Sequence, residues 1–187
     1  MKRNERILDR ERSILLVIDL QESYRGKIHE EERLVRGVGR LLAAASVLDV
    51  PVLLTEQYPK GLGATVPELA KVASAHHAAI LPKMHFSCME DQGFAAAFKA
   101  TGRKQAVIAG MEAHICVMQT AVSLMDQGYE VFVVTDATSS RTLASEKACL
   151  DRLQACGAGI VTTEMVVFEW LGRAGTPAFK ALLPLIK

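Results

Sequence analysis

Short apolar segments alternate with helical patterns along the chain, and this order predicts βαβ units with a mostly parallel sheet. The segments that read as strands are residues 13–19, 52–55, 78–83, 106–109, 130–135 and 159–162. Helical periodicity covers residues 30–48, 91–100 and 143–155, and further helices are expected from Thr65, after Gly110 and at the C-terminus. A capping box of Thr65 and Glu68 is expected to start one of them. We therefore expect residues 1–187 to form a single doubly wound α/β domain. Its six-stranded, mostly parallel sheet should carry helices on both faces.

Composition narrows the classes of function. The net charge is only +1 and the basic residues are scattered, so a nucleic-acid or anionic membrane surface is not indicated. The N-terminal residues mix both charge signs without an apolar core, and no apolar run approaches the roughly 20 residues that span a bilayer. We expect a cytoplasmic protein that acts on a small molecule.

Three chemically capable residues stand at the ends of predicted strands. Asp19 ends the first apolar run, Lys83 ends the third, and Cys116 follows the fourth. Ligands of open α/β sheets bind at the carboxyl ends of the strands, so these side chains are expected to converge. The first and third runs are expected to be buried strands.

Cys116 is predicted to lie in the first turn of the helix after Gly110. Unpaired N–H groups and the helix dipole there lower a thiol pKa to roughly 3.5–7.5 and suit an oxyanion. A small core cysteine in a βα unit is the alternative, and the segment by itself leaves both open.

The other cysteines and the histidines do not form a metal-binding pattern. Cys149 and Cys156 are expected to be core or near-core thiols on one helix, and Cys88 lies in a loop. There is no CxxC pair, and His76 and His77 are adjacent rather than one helical turn apart. We expect no metal and no cofactor.

Several motifs together resemble the isochorismatase-like cysteine hydrolases, over nearly the whole chain. They are VIDLQESYR (17–25), LPKMHFS (81–87), GMEAHICVMQTA (110–121) and VVTDATSSR (133–141). The stretch TEQYPKGLGATVPEL (55–69) is similar to the subgroup of isochorismatase domain-containing proteins.

The resemblance implies an isochorismatase-type fold with Asp19, Lys83 and Cys116 as a catalytic triad. It also implies a cis peptide at Met111–Glu112 and an oxyanion hole made by the backbone N–H groups of Glu112 and Cys116. The expected activity is cleavage of a C–N bond in a small amide or carbamoyl compound through a Cys116 thioester. Homo-oligomers are usual in such a superfamily.

One departure bears on the activity. Nicotinamidases of this superfamily have a metal-binding Asp and histidines after the second strand, where this chain has Glu56, Gln57 and Tyr58. The resemblance therefore argues against a metal-dependent nicotinamidase.

Residues just past the strand ends are expected to line the substrate pocket. They are Gln21, Tyr24, Gln57, Tyr58, Phe86 and His114. Arg141, after the fifth strand, is interpreted as a surface or subunit-contact residue. No charged residue of this set demands a carboxylate substrate, which leaves small neutral amides open.

Two other functions remain open on the same fold. A reactive Cys116 also suits a thiol redox sensor, with Cys88 as the conceivable resolving cysteine. A non-catalytic oligomeric scaffold is the other. The apolar segment 179–186 suits either a subunit contact or packing on the chain's own sheet.

Overall fold

All six predicted strands are present and form one sheet. A computed structural model describes residues 7–75 and 78–186, so His76 and His77 lie outside the described residues. The strands are β1 (Ser13–Ile18), β2 (Val52–Gln57), β3 (Ala79–Lys83), β4 (Gln105–Gly110), β5 (Glu130–Thr138) and β6 (Gly159–Val161). Their order is β3-β2-β1-β4-β5-β6, and every neighbouring pair is parallel. The expected doubly wound α/β architecture is confirmed.

Helices cover both faces of this sheet. They are α1 (Glu31–Val47), α2 (Pro59–Leu62), α3 (Pro67–Ala75), α4 (Gln92–Ala100), α5 (Met118–Asp126), α6 (Leu143–Ala155), α7 (Thr163–Leu171) and α8 (Pro177–Ile186). One core cluster contains apolar residues of α1, α3, α7 and α8, and the other contains those of α4, α5 and α6. The strand order reverses direction between β1 and β4, so a crevice is expected at their carboxyl ends.

The central strands are buried on both faces, which explains their continuous apolar sequences. Every residue of β1 and of β4 is buried. Helix α1 packs closely over β5 because Gly37 lacks a side chain: a Cβ there would lie 2.5 Å from the Asp136 carbonyl oxygen. The backbone of α1 is therefore in direct contact with β5 at Gly37.

Strand β3 corrects an expectation. It was expected to be buried, but it forms the edge of the sheet, and Ala79, Ile80 and Pro82 are exposed. The run is apolar enough for a buried strand, and Pro82 is the residue that indicates an edge.

Local details near α3 and α6 also differ from expectation. The capping box does not form, because Thr65 donates to Glu56 and the Glu68 carboxylate pairs with Arg25 at 2.6 Å. Cys149 is buried as expected, whereas Cys156 is exposed at the end of α6.

The C-terminal segment forms two helices rather than one. Helix α8 packs on α1 and α7 of its own chain, with Leu182 buried and the Phe179 ring 6.4 Å from that of Phe168. This agrees with the alternative of packing within the chain. Among the described residues, no helix combines the length and apolarity that a membrane crossing requires.

Candidate active site

Asp19, Lys83 and Cys116 meet at the carboxyl edge of the sheet. Lys83 Nζ lies 2.8 Å from Asp19 Oδ2 and 3.4 Å from Cys116 Sγ. All three residues are buried, and 7% of the Cys116 surface is exposed to solvent. The convergence predicted from the three strand ends is therefore observed, and we refer to these residues as the Asp19–Lys83–Cys116 cluster.

Asp19 is held by β2 in a backbone conformation that few residues adopt. Its φ angle is +54°, in the left-handed region that aspartate tolerates better than most side chains. Its N–H donates to the Thr55 carbonyl at 3.1 Å, and the Thr55 hydroxyl donates to Asp19 Oδ1 at 2.7 Å. One carboxylate oxygen is thereby anchored, and the other faces Lys83.

Lys83 has acceptors on several sides. Its Nζ donates to Gln57 Oε1 at 2.5 Å and to the His85 carbonyl at 3.2 Å, besides its contacts with Asp19 and Cys116. Burial acts to lower the Lys83 pKa, but the nearby Asp19 carboxylate and the thiols outweigh it and the pKa is raised. The ammonium form is therefore retained, which keeps a positive charge beside the thiol.

Gln57 and Gln21 form a framework beneath this ammonium group. Gln21 Oε1 accepts from the Gln57 N–H at 2.8 Å, and Gln21 Nε2 donates to the carbonyls of Gln57 and Gly63. Gln57 Nε2 donates to the Met84 carbonyl at 2.9 Å. Gln21 is fully buried with its amide engaged, so it supports the ends of the strands. Gln57 acts on Lys83 instead of reaching toward solvent.

The turn that carries Cys116 begins at Gly110. Gly110 has a φ of +117°, and a Cβ there would lie 2.2 Å from the Ile18 carbonyl oxygen, so only glycine fits. The Met111–Glu112 peptide bond is cis. Residues Ala113–Val117, which we call the nucleophile turn, form a wide π-helical turn before α5 begins at Met118. Cys116 was expected in the first turn of an α-helix and lies in this wider turn.

The electrostatics of Cys116 correct a second expectation. Its pKa is raised well above the ordinary thiol value, first by burial and then by the Asp19 carboxylate, while Lys83 offsets only part of this. The position after a strand suggested a lowered pKa, but burial and a carboxylate neighbour are stronger here. The resting thiol is protonated, and a base is needed to activate it.

The outer part of the site combines charged and aromatic side chains. Arg141 Nε lies 2.6 Å from Glu112 Oε2, and His114 Nδ1 lies 2.9 Å from the Ser140 hydroxyl. Tyr24 is partly buried, and its pKa is raised first by burial and then by Glu112, Cys116 and Asp19. Tyr24 therefore lies beside the cluster, and His114 belongs to the same turn as Cys116.

An apolar rim adjoins the ends of β2 and β3. Its members are the exposed residues Tyr58, Met84 and Phe86, and two of these were expected pocket residues. The Phe86 carbonyl lies 3.5 Å from Lys83 Nζ, and the Tyr58 N–H donates to the Lys83 carbonyl. This rim is therefore connected to the cluster through the backbone.

Sequence comparison decides the family. The family model for the isochorismatase domain matches residues 13–165, which include every residue of the cluster. The chain belongs to the isochorismatase family. Membership supports a hydrolase-type function.

Relatives of this family cover nearly the whole chain. The secreted isochorismatase effector Isc1 of Phytophthora sojae is 37% identical over 94% of this chain and 84% of its own length. Isochorismatase domain-containing protein 2 of Danio rerio is 37% identical over 93% of this chain and 86% of its own. The resemblance drawn from the motifs is thus confirmed.

Solved structures of isochorismatase-like proteins superpose closely. The MAR1 ribonuclease of Caenorhabditis elegans has a TM-score of 0.90 at 34% identity, covering 96% of this chain and 92% of that one. The YcaC gene product of Escherichia coli, described as an octameric hydrolase of unknown specificity, has a TM-score of 0.90 at 27% identity. It covers 99% of this chain and 92% of that one.

Two features that support the nucleophile turn were not found from sequence. Ala113 donates its N–H to the Ser139 carbonyl at 2.8 Å, and the Cys149 thiol donates to the Ala113 carbonyl at 2.9 Å. Ser139 in turn donates to Glu146, which pairs with Arg33 at 3.0 Å. The motif at 133–141 marked this region without indicating the contacts.

Cys88, which the sequence placed in a loop, is part of the buried interior near the site. It is fully buried, and burial raises its pKa to about 12. The Asp19 carboxylate raises this pKa further and the Lys83 ammonium group lowers it, so Cys88 lies near the cluster. Within residues 7–75 and 78–186, no three His, Cys, Asp or Glu side chains are grouped so as to hold a metal ion.

Proposed function

We propose that this protein is a cysteine hydrolase that cleaves a C–N bond of a small amide or carbamoyl compound, with Cys116 as the nucleophile. One observation carries the proposal: a buried ammonium group lies within 2.8 Å of a carboxylate and 3.4 Å of a thiol. A base, a cation and a nucleophile are thereby combined at one point, as covalent catalysis requires.

The reaction begins with transfer of the thiol proton. Asp19 accepts this proton, and Lys83 stabilises the thiolate by its charge. The sulfur attacks the substrate carbonyl carbon, and the carbonyl π electrons move to oxygen. The backbone N–H groups of Glu112 and Cys116 would bind that oxyanion. Loss of one such donor in other enzymes costs about 10²–10³ in rate.

The same carboxyl group completes both halves of the cycle. Protonated Asp19 donates its proton to the departing nitrogen as the C–N bond breaks, which leaves a thioester on Cys116. Water then attacks the thioester carbon while Asp19 removes its proton. The acid is released, and the proton returns to the Cys116 sulfur.

The raised thiol pKa fits this order of events. A protonated resting thiol beside an ionised carboxylate holds its proton until substrate is bound. Attack is then coupled to transfer onto Asp19, whose Oδ1 is fixed by Thr55 and whose Oδ2 faces Lys83.

The test is ammonia or amine release from a panel of nicotinamide, carbamoyl compounds and short aliphatic amides. Cys116→Ser should reduce the rate of release by at least about a thousandfold, as the loss of a nucleophile does in other enzymes. Cys156→Ser, which changes an exposed thiol on α6, is the matched control and should retain it. Mass spectrometry of the quenched wild type should show an acyl adduct on Cys116.

An RNA substrate belongs in the same panel because one similar structure is named a ribonuclease. RNA cleavage that persists in Cys116→Ser, with no amide hydrolysed by the wild type, would overturn the proposal.

We also propose that the chain forms homo-oligomers. The YcaC structure is described as octameric, and the exposed residues Ile80, Met84 and Phe86 follow one another along the edge strand and beyond it. Light scattering after size exclusion would give the mass of the assembly, and a mass of 20.3 kDa would contradict this proposal.

A further inference from the structure

Arg141 presents a charged group at the outer part of the site. Its side chain is 58% exposed, whereas that of its partner Glu112 is only 8% exposed. The single contact between them joins Arg141 Nε to Glu112 Oε2. Within the described part of the chain, neither terminal NH₂ group of Arg141 has a hydrogen-bond acceptor.

The contact with Glu112 fixes this guanidinium relative to Cys116. Glu112 is the residue before the nucleophile turn, and its carbonyl accepts from the N–H groups of Ile115 and Val117 on either side of Cys116. A guanidinium held through Nε keeps its two NH₂ groups free and parallel. That arrangement matches a carboxylate in a bidentate pair.

We propose that Arg141 binds a carboxylate of the substrate, so that the substrates are amides or carbamoyl compounds that also carry a carboxylate. This inference rests on the proposed function and narrows its substrate class. It replaces the interpretation of Arg141 as a surface or subunit-contact residue.

The charges around the site agree with an anionic ligand. Lys83 is paired with the buried Asp19 and Glu112 is buried, so the Arg141 guanidinium is the exposed charge among these four groups. Tyr24 lies in the field of Arg141 as well as those of Glu112, Cys116 and Asp19. Its phenol thus lies near both the guanidinium and the thiol.

The opposite side of the site is apolar. Met84 and Phe86 are both more than half exposed beyond the end of β3. A substrate with a carboxylate at one end and a small apolar part at the other matches these two sides.

Alkylation of Cys116 tests the inference without a known substrate. Iodoacetate and iodoacetamide place the same reactive carbon beside a carboxylate and a neutral amide, respectively. The rate of each reaction is measured by peptide mass spectrometry at Cys116 and, in the same sample, at the exposed Cys156. The ratio of the two rates at Cys156 serves as the reference.

We expect the iodoacetate-to-iodoacetamide ratio at Cys116 to exceed that at Cys156 by about tenfold, the size of a charge-assisted hydrogen bond. Arg141→Gln should abolish this preference while iodoacetamide still labels Cys116. The matched control is Arg173→Gln, which removes the same charge from the exposed loop between α7 and α8 and should retain the preference.

The outcomes separate the two proposals. Equal ratios at the two cysteines, or a preference that survives Arg141→Gln, would overturn the carboxylate inference alone. The proposed function is tested separately by the amide panel, and it fails if no hydrolysis depends on Cys116, whatever the ratio of the two alkylation rates.

Discussion

Lys83 Nζ donates to Gln57 Oε1 over 2.5 Å, and this bond joins the edge strand β3 to its neighbour β2 at the candidate active site. Both groups are buried, and the amide oxygen is a neutral acceptor. Gln57 thus directs the ammonium group toward Asp19 and Cys116 without competing for its charge.

Gln57→Glu should therefore lower the reactivity of the Cys116 thiol while it keeps the size of the side chain at position 57. A second carboxylate beside Lys83 divides the charge that stabilises the thiolate, so the Cys116 pKa rises further. Each unit of pKa lowers the thiolate fraction tenfold, and we expect alkylation by iodoacetamide at pH 8 to slow by about that factor. Gln127→Glu, which makes the same change at an exposed position after α5, is the control. An unchanged rate in Gln57→Glu would show that Gln57 does not influence the thiol.

Substitutions of Asp19 and Lys83 should shift the thiol reactivity in opposite directions. Asp19 raises the Cys116 pKa and Lys83 lowers it. Asp19→Asn should therefore react faster with iodoacetamide near pH 7.5 by about tenfold or more, although it loses hydrolytic activity because the base is gone. Lys83→Met should react more slowly and also be inactive. Rates measured from pH 6 to 10 would show the two profiles displaced to either side of the wild type; a shift in the same direction would contradict the assigned electrostatics.

Gly110→Ala should destabilise the fold at the start of the nucleophile turn. The new Cβ would meet the Ile18 carbonyl and would require a positive φ, which together cost more than about 2 kcal/mol. Gly93→Ala in α4 is the matched substitution, since nothing lies within 4 Å of its added Cβ, and it should change stability by less than about 0.5 kcal/mol. Urea unfolding of the two variants gives the comparison, and equal midpoints would refute the argument.

Alkaline pH should reduce stability through the buried thiols. The pKa of Cys88 is raised from 9.0 to about 12 by burial, so the folded state holds its proton where the unfolded chain loses it. The stabilisation is complete below pH 9 and decreases between pH 9 and about 12. Cys88→Ser removes this titration, so the free energy of unfolding should fall less steeply, by up to about 1.4 kcal/mol per pH unit.

The control for that measurement is Cys156→Ser, which removes an exposed thiol. The experiment compares unfolding free energies of the three proteins from pH 8 to 11. Parallel curves for wild type and Cys88→Ser would mean that the Cys88 pKa is not raised on folding.

The sequence predicted the positions of Asp19, Lys83 and Cys116 because each stands at the end of an apolar run. The parallel sheet followed from the same alternation, and the ends of parallel strands necessarily share an edge. The prediction that β3 is buried was wrong because an apolar strand at the edge of a sheet has the same composition as one in its centre.

Other features depend on contacts between distant segments. The sign of the Cys116 pKa shift depends on burial and on Asp19, which is separated from it by nearly a hundred positions in the chain. Glu112 and Arg141 pair although α5 and β5 separate them in the chain. The amide of Gln57 has no charge or periodicity that marks its bond to Lys83. Pairwise geometry of this kind is not encoded in local pattern.

The edge position of β3 places one side of the site at a margin of the sheet, where local opening requires the loss of only one neighbouring strand. Asp19 and Cys116 follow central strands with a neighbour on each side, whereas Lys83 belongs to a strand paired only with β2. Edge strands exchange their amide hydrogens through local openings that leave the rest of the fold intact. The reactive chemistry of this chain is therefore less durable than its fold: heat or mild denaturant would detach the cation from the nucleophile before the central strands separate.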